Sequence, residues 1–114
     1  MSEVRFMIHS KFEDGEAVRD LARRMTAFVR EHEPGTTTYT WFQSADDHMI
    51  NEDSYATTDA FLTHLSNAGE QGFLDEFLSL MTIESVRVLG SIDDAASEAL
   101  SAFGAVHYEI VEQL

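Results

Sequence analysis

Apolar side chains recur with two different periods along this chain, and the order of the periods limits the folds that it can adopt. From Val4 to Phe12 they recur at every second position, with Phe6 and Ile8 on the same face, which predicts a strand with one apolar side. The next apolar residues have helical spacing and form one stripe: Val18, Leu21, Ala22, Met25, Phe28 and Val29. Asp14 precedes this predicted helix and is its candidate N-cap.

The same reading continues to residue 89. Two strands, two helical stretches and a further strand are predicted over Thr36–Gln43, His48–Ala56, Asp59–Ala68, Gln71–Leu80 and Thr82–Leu89. A turn at Ser44–Asp47 joins the first two of these strands into a hairpin. With the two helical stretches taken together, the order is β-α-β-β-α-β, which predicts a ferredoxin-like α+β fold with an antiparallel sheet.

The chain extends beyond this unit with a predicted helix, Asp93–Phe103, and a short strand, Val106–Val111. A strand added after a completed sheet needs an edge to pair with, and one such edge belongs to a second copy of the chain. We therefore expect a single domain over residues 1–114, with a C-terminal extension of about residues 91–114 that crosses to the partner in a homodimer.

Composition narrows the kinds of site and partner. The 114 residues include no Cys, so disulfides and thiolate metal sites are excluded. Residues 1–43 have a net charge of −1, whereas residues 44–114 have a net charge of −13, since Arg87 is their only Lys or Arg. Such a surface repels phosphate backbones, so we expect no nucleic-acid partner, and a strongly anionic ligand would need a local exception to the acidic surface.

No apolar run approaches the roughly 18 residues that a membrane span requires, and the first residues do not have the pattern of a secretion leader. We therefore expect a cytoplasmic protein with no membrane partner.

The predicted first helix carries four arginines opposite its apolar stripe: Arg19, Arg23, Arg24 and Arg30. Acidic residues at positions three or four away, such as Asp20 before Arg24, can pair with them along the helix surface. We interpret these arginines as a solvated face rather than a ligand site.

Several short segments resemble one known family. Residues 33–36 (Glu-Pro-Gly-Thr), followed by Tyr39 and Phe42, resemble the turn and second strand of antibiotic biosynthesis monooxygenase-like domains. Residues 53–55 (Asp-Ser-Tyr), 59–61 (Asp-Ala-Phe) and the pair His64–Leu65 resemble the acidic-x-Tyr strand end and the helix that follow. The tail, from Gly90 to Tyr108, is similar to an extension found in part of that family.

The resemblance implies a dimeric α+β barrel. It also implies several possible activities, because members include oxygenases of phenols or quinols that use no metal or organic cofactor, haem-degrading oxygenases and isomerases. The haem-degrading members have an Asn on the first strand and a Trp on the helix before the His, and this chain has neither. Isomerase and quinol-oxidising members often have a second His soon after the first, where residues 65–69 here have none.

His64 is the first candidate catalytic residue, because it lies on the inner face of a predicted helix and an imidazole can take a proton from a phenol or an enol near neutral pH. Tyr55 and Asn51 share the parity of one strand and could position an oxygen of the substrate. The alternative for His64 is a buried ring satisfied by a backbone carbonyl or a carboxylate. The alternative for Tyr55 is core packing.

Four residues are candidates for substrate binding: Trp41, Tyr39, Phe61 and Asp53. Tyr39 and Trp41 share a face of the second predicted strand, where aromatic rings suit a planar substrate and suit a dimer interface equally well. For Asp53 we favour a hydrogen bond to a neighbouring backbone amide over a part in the site. The histidines and acids lack metal-site spacing, so no metal is expected.

Three functions remain open. The first is a cofactor-independent monooxygenase of a small aromatic or quinol substrate, in which His64 assists deprotonation and the carbanion reacts with dioxygen. The second is an isomerase or other proton-transfer enzyme that acts on a small carbonyl compound and uses the same His without oxygen. The third is a non-catalytic module that binds a small hydrophobic molecule.

Overall fold

A computed structural model describes residues 3–44 and 47–114, and within these ranges its helices and strands follow the predicted order. Residues 45 and 46 of the predicted turn lie outside the described residues. In chain order the elements are β1 (Val4–Phe12), α1 (Gly15–His32), β2 (Thr36–Gln43), β3 (His48–Tyr55), α2 (Thr58–Glu70), α3 (Phe73–Leu80), β4 (Met81–Leu89), α4 (Asp94–Ser101) and β5 (Val106–Tyr108).

The strands form one sheet in the order β2-β3-β1-β4-β5. The three pairs among the first four strands, β2–β3, β3–β1 and β1–β4, are antiparallel, as the ferredoxin-like α+β prediction requires. The fifth strand is different, because β5 pairs with β4 in parallel after a crossover through α4. The edge that β5 uses is therefore the chain's own β4. Crossing of the remaining C-terminal residues to a second copy stays a prediction.

Local signals explain α1. The Asp14 side chain accepts a hydrogen bond from the Ala17 amide at 3.0 Å, which confirms Asp14 as the N-cap. Asp20 and Arg24 form the expected surface ion pair at 2.9 Å. The predicted stripe faces the sheet and supplies the buried residues Val18, Leu21, Met25 and Val29. Within the described ranges, no helix is both long enough and apolar enough to cross a membrane.

The helices cover one face of the sheet, and the core between these layers consists of two clusters. One cluster surrounds Phe6, Tyr55 and Phe61 and includes residues of α4. The other surrounds Leu21 and Phe77 and joins α1 and α3 to the sheet. The candidate site lies where the two clusters meet.

Gly35 brings the end of α1 close to the start of α2. A Cβ atom on Gly35 would lie only 2.7 Å from the Cβ atom of Ala60, so a larger residue would push the two segments apart. The residue that ends α1, Glu33, is thereby held against the inner face of α2.

Candidate functional site

A cavity of about 100 Å³ lies between the sheet and the helices. Its lining is mostly apolar and includes Phe61 of α2. Four polar side chains also line it: Tyr39 of β2, Asn51 and Asp53 of β3, and His64 of α2. An apolar cavity with a few converging polar groups is the usual form of a small-molecule site.

His64 is buried and paired with a carboxylate from the end of α1. Its Nδ1 lies 2.8 Å from Oε1 of Glu33, whose side chain is only 3% exposed. Thr36 donates to the same carboxylate oxygen at 3.1 Å, and Asn67 donates to Oε2 at 3.1 Å. Because a carboxylate accepts from Nδ1–H, the other ring nitrogen, Nε2, is left with the lone pair. The arrangement is that of an oriented general base.

The environment of Glu33 favours its ionised form. Burial alone would raise its pKa, but the hydrogen bond and charge of His64, together with the hydrogen bonds from Asn67 and Thr36, outweigh burial. The pKa of Glu33 is therefore held below its usual value, and the carboxylate stays charged near neutral pH.

Asp53 lines the cavity and is nearly inaccessible to solvent. Burial raises its pKa to about 6, against the lowering effects of the His64 charge and of the Tyr55 hydrogen bond. The Tyr55 hydroxyl donates to Oδ2 of Asp53 at 3.1 Å, while Oδ1 of Asp53 has no partner. Asp53 is thus a carboxyl group that can hold a proton close to neutral pH, opposite a base.

Asn51 is the second polar side chain of β3 in the cavity, and its Oδ1 atom is buried without a partner. Burial without a hydrogen bond costs roughly 1–3 kcal/mol, so an oxygen acceptor in such a place is suited to a ligand that donates. Asn51 pairs in register with Ile8 on β1 and Trp41 on β2, so it lies on an interior strand of the sheet.

The structure brings five of the seven predicted site residues to one cavity: His64, Asn51, Asp53, Tyr39 and Phe61. Tyr55 does not line it; its hydroxyl donates to Asp53, and the rings of Tyr55 and His64 are 5.4 Å apart. Trp41 also lies outside the lining and packs against Tyr39 and Phe77 instead. The favoured interpretation of Asp53 is wrong, because its carboxyl accepts from a side chain and not from a backbone amide.

Three polar residues of the site were missed from the sequence: Glu33, Thr36 and Asn67. Asn67 carries a usable signal, since a residue three positions after His64 lies on the same helix face. Glu33 carries no such sequence signal, because it lies at the end of α1, thirty-one residues before His64. The two residues come into contact only when the chain folds. Among the described residues, no cluster of three or more His, Cys, Asp or Glu side chains could hold a metal.

Solved structures of several proteins resemble this chain over most of its length. MupZ from Pseudomonas fluorescens has a TM-score of 0.79 at 17% identity, over 100% of this chain and 94% of MupZ. SnoaB, a cofactor-independent oxygenase from Streptomyces nogalater, has a TM-score of 0.68 at 20% identity, over 82% of this chain and 96% of SnoaB. A proposed antibiotic biosynthesis monooxygenase from Caulobacter crescentus has a TM-score of 0.68 at 17% identity, over 80% and 91% of the two chains. This chain has the antibiotic biosynthesis monooxygenase-like fold.

The antibiotic biosynthesis monooxygenase-like resemblance of the sequence is confirmed by these neighbours at the level of the fold. The match to MupZ includes the extension after β4, because it covers the whole chain. No protein-family model and no curated protein sequence matches the chain.

Glu33→Gln tests the carboxylate–imidazole pair through stability. We expect a loss of about 1–3 kcal/mol at pH 7, because Gln keeps the length of the side chain but leaves His64 without a charged partner. A lowered pKa in the folded state stabilises the protein above the usual value of 4.5, and this contribution is lost as pH falls through the folded value. In urea denaturation, the variant should therefore approach the parent in stability as pH falls below 4.5 and Glu33 of the parent becomes protonated.

Glu31→Gln is the matched control, because the Glu31 side chain is 78% exposed and lies two residues away. Equal unfolding free energies of the two variants at pH 7 would contradict the pairing of Glu33 with His64.

Proposed function

We propose that this chain is a cofactor-independent monooxygenase of a small aromatic or quinol substrate. The observation that supports the proposal is the His64–Glu33 base, which shares an apolar cavity with the protonatable Asp53 and the unpartnered Asn51. The shared fold with an oxygenase that needs no cofactor agrees with it. Tyr39 and Phe61 would bind the ring through aromatic contacts.

The first step of the proposed reaction is proton removal. Nε2 of His64 takes the proton of a phenolic hydroxyl, and Glu33 stabilises the imidazolium through Nδ1. The Oδ1 atom of Asn51 accepts a hydrogen bond from a second donor on the ring and fixes its orientation. The phenolate that forms is electron-rich at the ring carbon para or ortho to its oxygen.

Dioxygen then accepts electrons from the substrate. One electron passes from the phenolate to O₂, and the superoxide and phenoxyl radical combine to form a carbon–oxygen bond and a peroxide. Asp53 protonates the distal oxygen and then, as a carboxylate, takes the proton that the ring carbon loses. The O–O bond breaks, and the leaving hydroxide takes the proton of the His64 imidazolium and departs as water, which returns both residues to their starting states. A phenol and O₂ thus give a quinone and water, and all four electrons come from the substrate.

Cavity size limits the ring that can react in this conformation. A cavity of about 150 Å³ in another protein holds benzene, and the space here is about 100 Å³. A single ring therefore fits after small side-chain movements, whereas a fused multi-ring substrate needs more space than this cavity provides.

Oxygen consumption tests the proposal. A panel of phenols, hydroquinones and naphthols is incubated with the protein in a closed oxygen electrode, and quinone formation is followed by absorbance. One mole of O₂ should be consumed for each mole of quinone formed from a phenol. Absence of enzyme-dependent oxygen uptake across the panel would reject oxygenation.

A proton-transfer enzyme acting on a small carbonyl compound is the second candidate. Asp53 favours it, because an acid with a pKa of about 6 opposite a histidine base suits enolisation. Deuterium exchange next to the carbonyl of cyclic ketones, followed by NMR under argon, separates the candidates. Exchange that needs His64 but consumes no oxygen would support this alternative.

We also propose that the chain forms a homodimer. Its edge strand β5 is exposed at all three residues, and the apolar side chains of Ile110, Val111 and Leu114 beyond it are exposed. A second copy can pair with this edge in a two-fold arrangement. Light scattering after gel filtration should give twice the mass of 12.8 kDa, and Val111→Glu should shift the mass toward one copy. A parent of monomeric mass at micromolar concentration would reject the dimer.

A further inference from the structure

A second depression lies between α1 and β2 and shares one lining residue with the cavity. It is a surface groove of about 500 Å³, lined on one side by Arg23, Thr26 and Arg30 and on the other by Tyr39 and Trp41. The groove therefore has arginines of α1 on one side and aromatic residues of β2 on the other. Tyr39 lines both the groove and the cavity that contains His64.

The two arginines of the groove form fewer or longer polar contacts with other side chains than Arg19 and Arg24 of the same helix do. Arg24 is bound by both Asp20 and Glu76, and Arg19 donates to Gln43. Arg23 lies 3.6 Å from Asp20 with 69% of its side chain exposed. Among the described residues, Arg30 forms no ion pair.

Charge makes this groove exceptional in the molecule. The chain has a net charge of −14, and residues 44–114 alone have −13, so an anion is repelled from most of the surface. Guanidinium groups are well suited to carboxylate and phosphate because they offer several donors in a plane. The groove is therefore a place on the surface where an anionic ligand could bind, although the arginines that line it are exposed to solvent as expected.

We propose that the substrate carries an anionic group on a short tether. Its ring occupies the cavity, the tether passes Tyr39, and a carboxylate or phosphate at its end binds Arg23 and Arg30 in the groove. This inference rests on the proposed function for the ring, and it adds a class of substrate: an aromatic compound with an acidic side arm.

Binding is measured directly, without turnover. Trp41 is the only tryptophan of the chain and lines the groove, so its fluorescence reports occupancy. The probes are 4-hydroxyphenylalkanoates of increasing chain length, the corresponding primary alcohols, and the corresponding alkyl phosphates, all titrated under argon. At the best chain length we expect the acid or the phosphate to bind about tenfold more tightly than the alcohol, with the preference falling as salt rises. The better of the two acidic series identifies the anion.

Arg23→Gln combined with Arg30→Gln should abolish the preference for the acidic probe and leave binding of the alcohol unchanged. The matched control is Arg5→Gln combined with Arg87→Gln, an equal charge change at two exposed positions, on β1 and β4. Alcohols that bind as tightly as the acids, or a preference that survives the double substitution, would overturn the proposal. These binding measurements need no reaction, so the two proposals can fail separately. If the acidic probes show no preference for the groove, the proposed oxygenation is still open to the oxygen-uptake test. If the preference is found but no oxygen is consumed, only the proposed oxygenation is rejected.

Discussion

Replacing His64 by Ala is expected to lower kcat/KM for the proposed reaction by about 10²- to 10⁴-fold, which is the range that a positioned general base contributes. The expectation follows from the geometry of the His64 ring, which lines the cavity. Glu33 binds its Nδ1 atom at 2.8 Å, so Nε2 is the nitrogen that can accept a proton from the substrate. The measurement is the initial rate of oxygen uptake with the best phenol or hydroquinone of the panel.

Two further measurements distinguish loss of the catalytic base from misfolding of the variant. His32→Ala is the matched control, since the His32 side chain is 50% exposed at the end of α1 and does not line the cavity. Added imidazole should partly restore the activity of His64→Ala by occupying the space that the ring leaves. A His64→Ala protein with native circular dichroism and a rate within about threefold of the parent would contradict the role of His64 as the base.

Asp53→Asn is expected to stabilise the protein by up to about 3 kcal/mol above pH 6 and by little near pH 4. The pKa of Asp53 is about 6 in the folded protein because of burial, against 3.8 for an ordinary Asp. The folded state therefore binds the proton more tightly than the unfolded state. Stability conferred by the protonated form is complete below pH 4, falls as pH rises from 4 to 6, and stays lost above pH 6.

Asn cannot ionise, so the variant avoids this loss and keeps an oxygen that can accept from Tyr55. Urea denaturation at pH 4, 5, 6 and 7.5 gives the difference between variant and parent at each pH. Glu52→Gln is the control, because Glu52 precedes Asp53 on β3 and projects from the other face of the sheet. A difference that does not change between pH 4 and 7.5 would show that Asp53 ionises normally. Activity should fall in the same variant, because the proton donor is gone.

The architecture could be predicted because its signals are local. The alternation in β1 predicted Val4–Phe12, and these are the bounds of the strand. The stripe and the N-cap of α1 were equally clear. The pairing of β5 was not, because the choice between the chain's own edge and a partner's edge depends on where the chain returns after α4, which no residue pattern encodes.

The site was predictable only where strand and helix parity decide which side chains face inward. Parity placed Asn51 and Asp53 together on β3, and the inner face of α2 placed His64 opposite them. Glu33 could not be found in this way, since its contact with His64 depends on the packing of a turn against a helix. The partner of Asp53 was predicted incorrectly because general preference favours backbone bonds, whereas Tyr55 lies two residues away on the same strand face.

Residues in and just after α4 form one wall of the cavity, and they are separate in sequence from the residues that would perform the chemistry. Leu100 and Phe103 close one side of the cavity, while every ionisable group in its lining precedes residue 65. Insertions, deletions or substitutions after β4 could therefore reshape the space available to a substrate and leave the proton-transfer groups intact. Proteins with this architecture have a simple route by which the size of the molecule they accept can diverge while the reaction is retained.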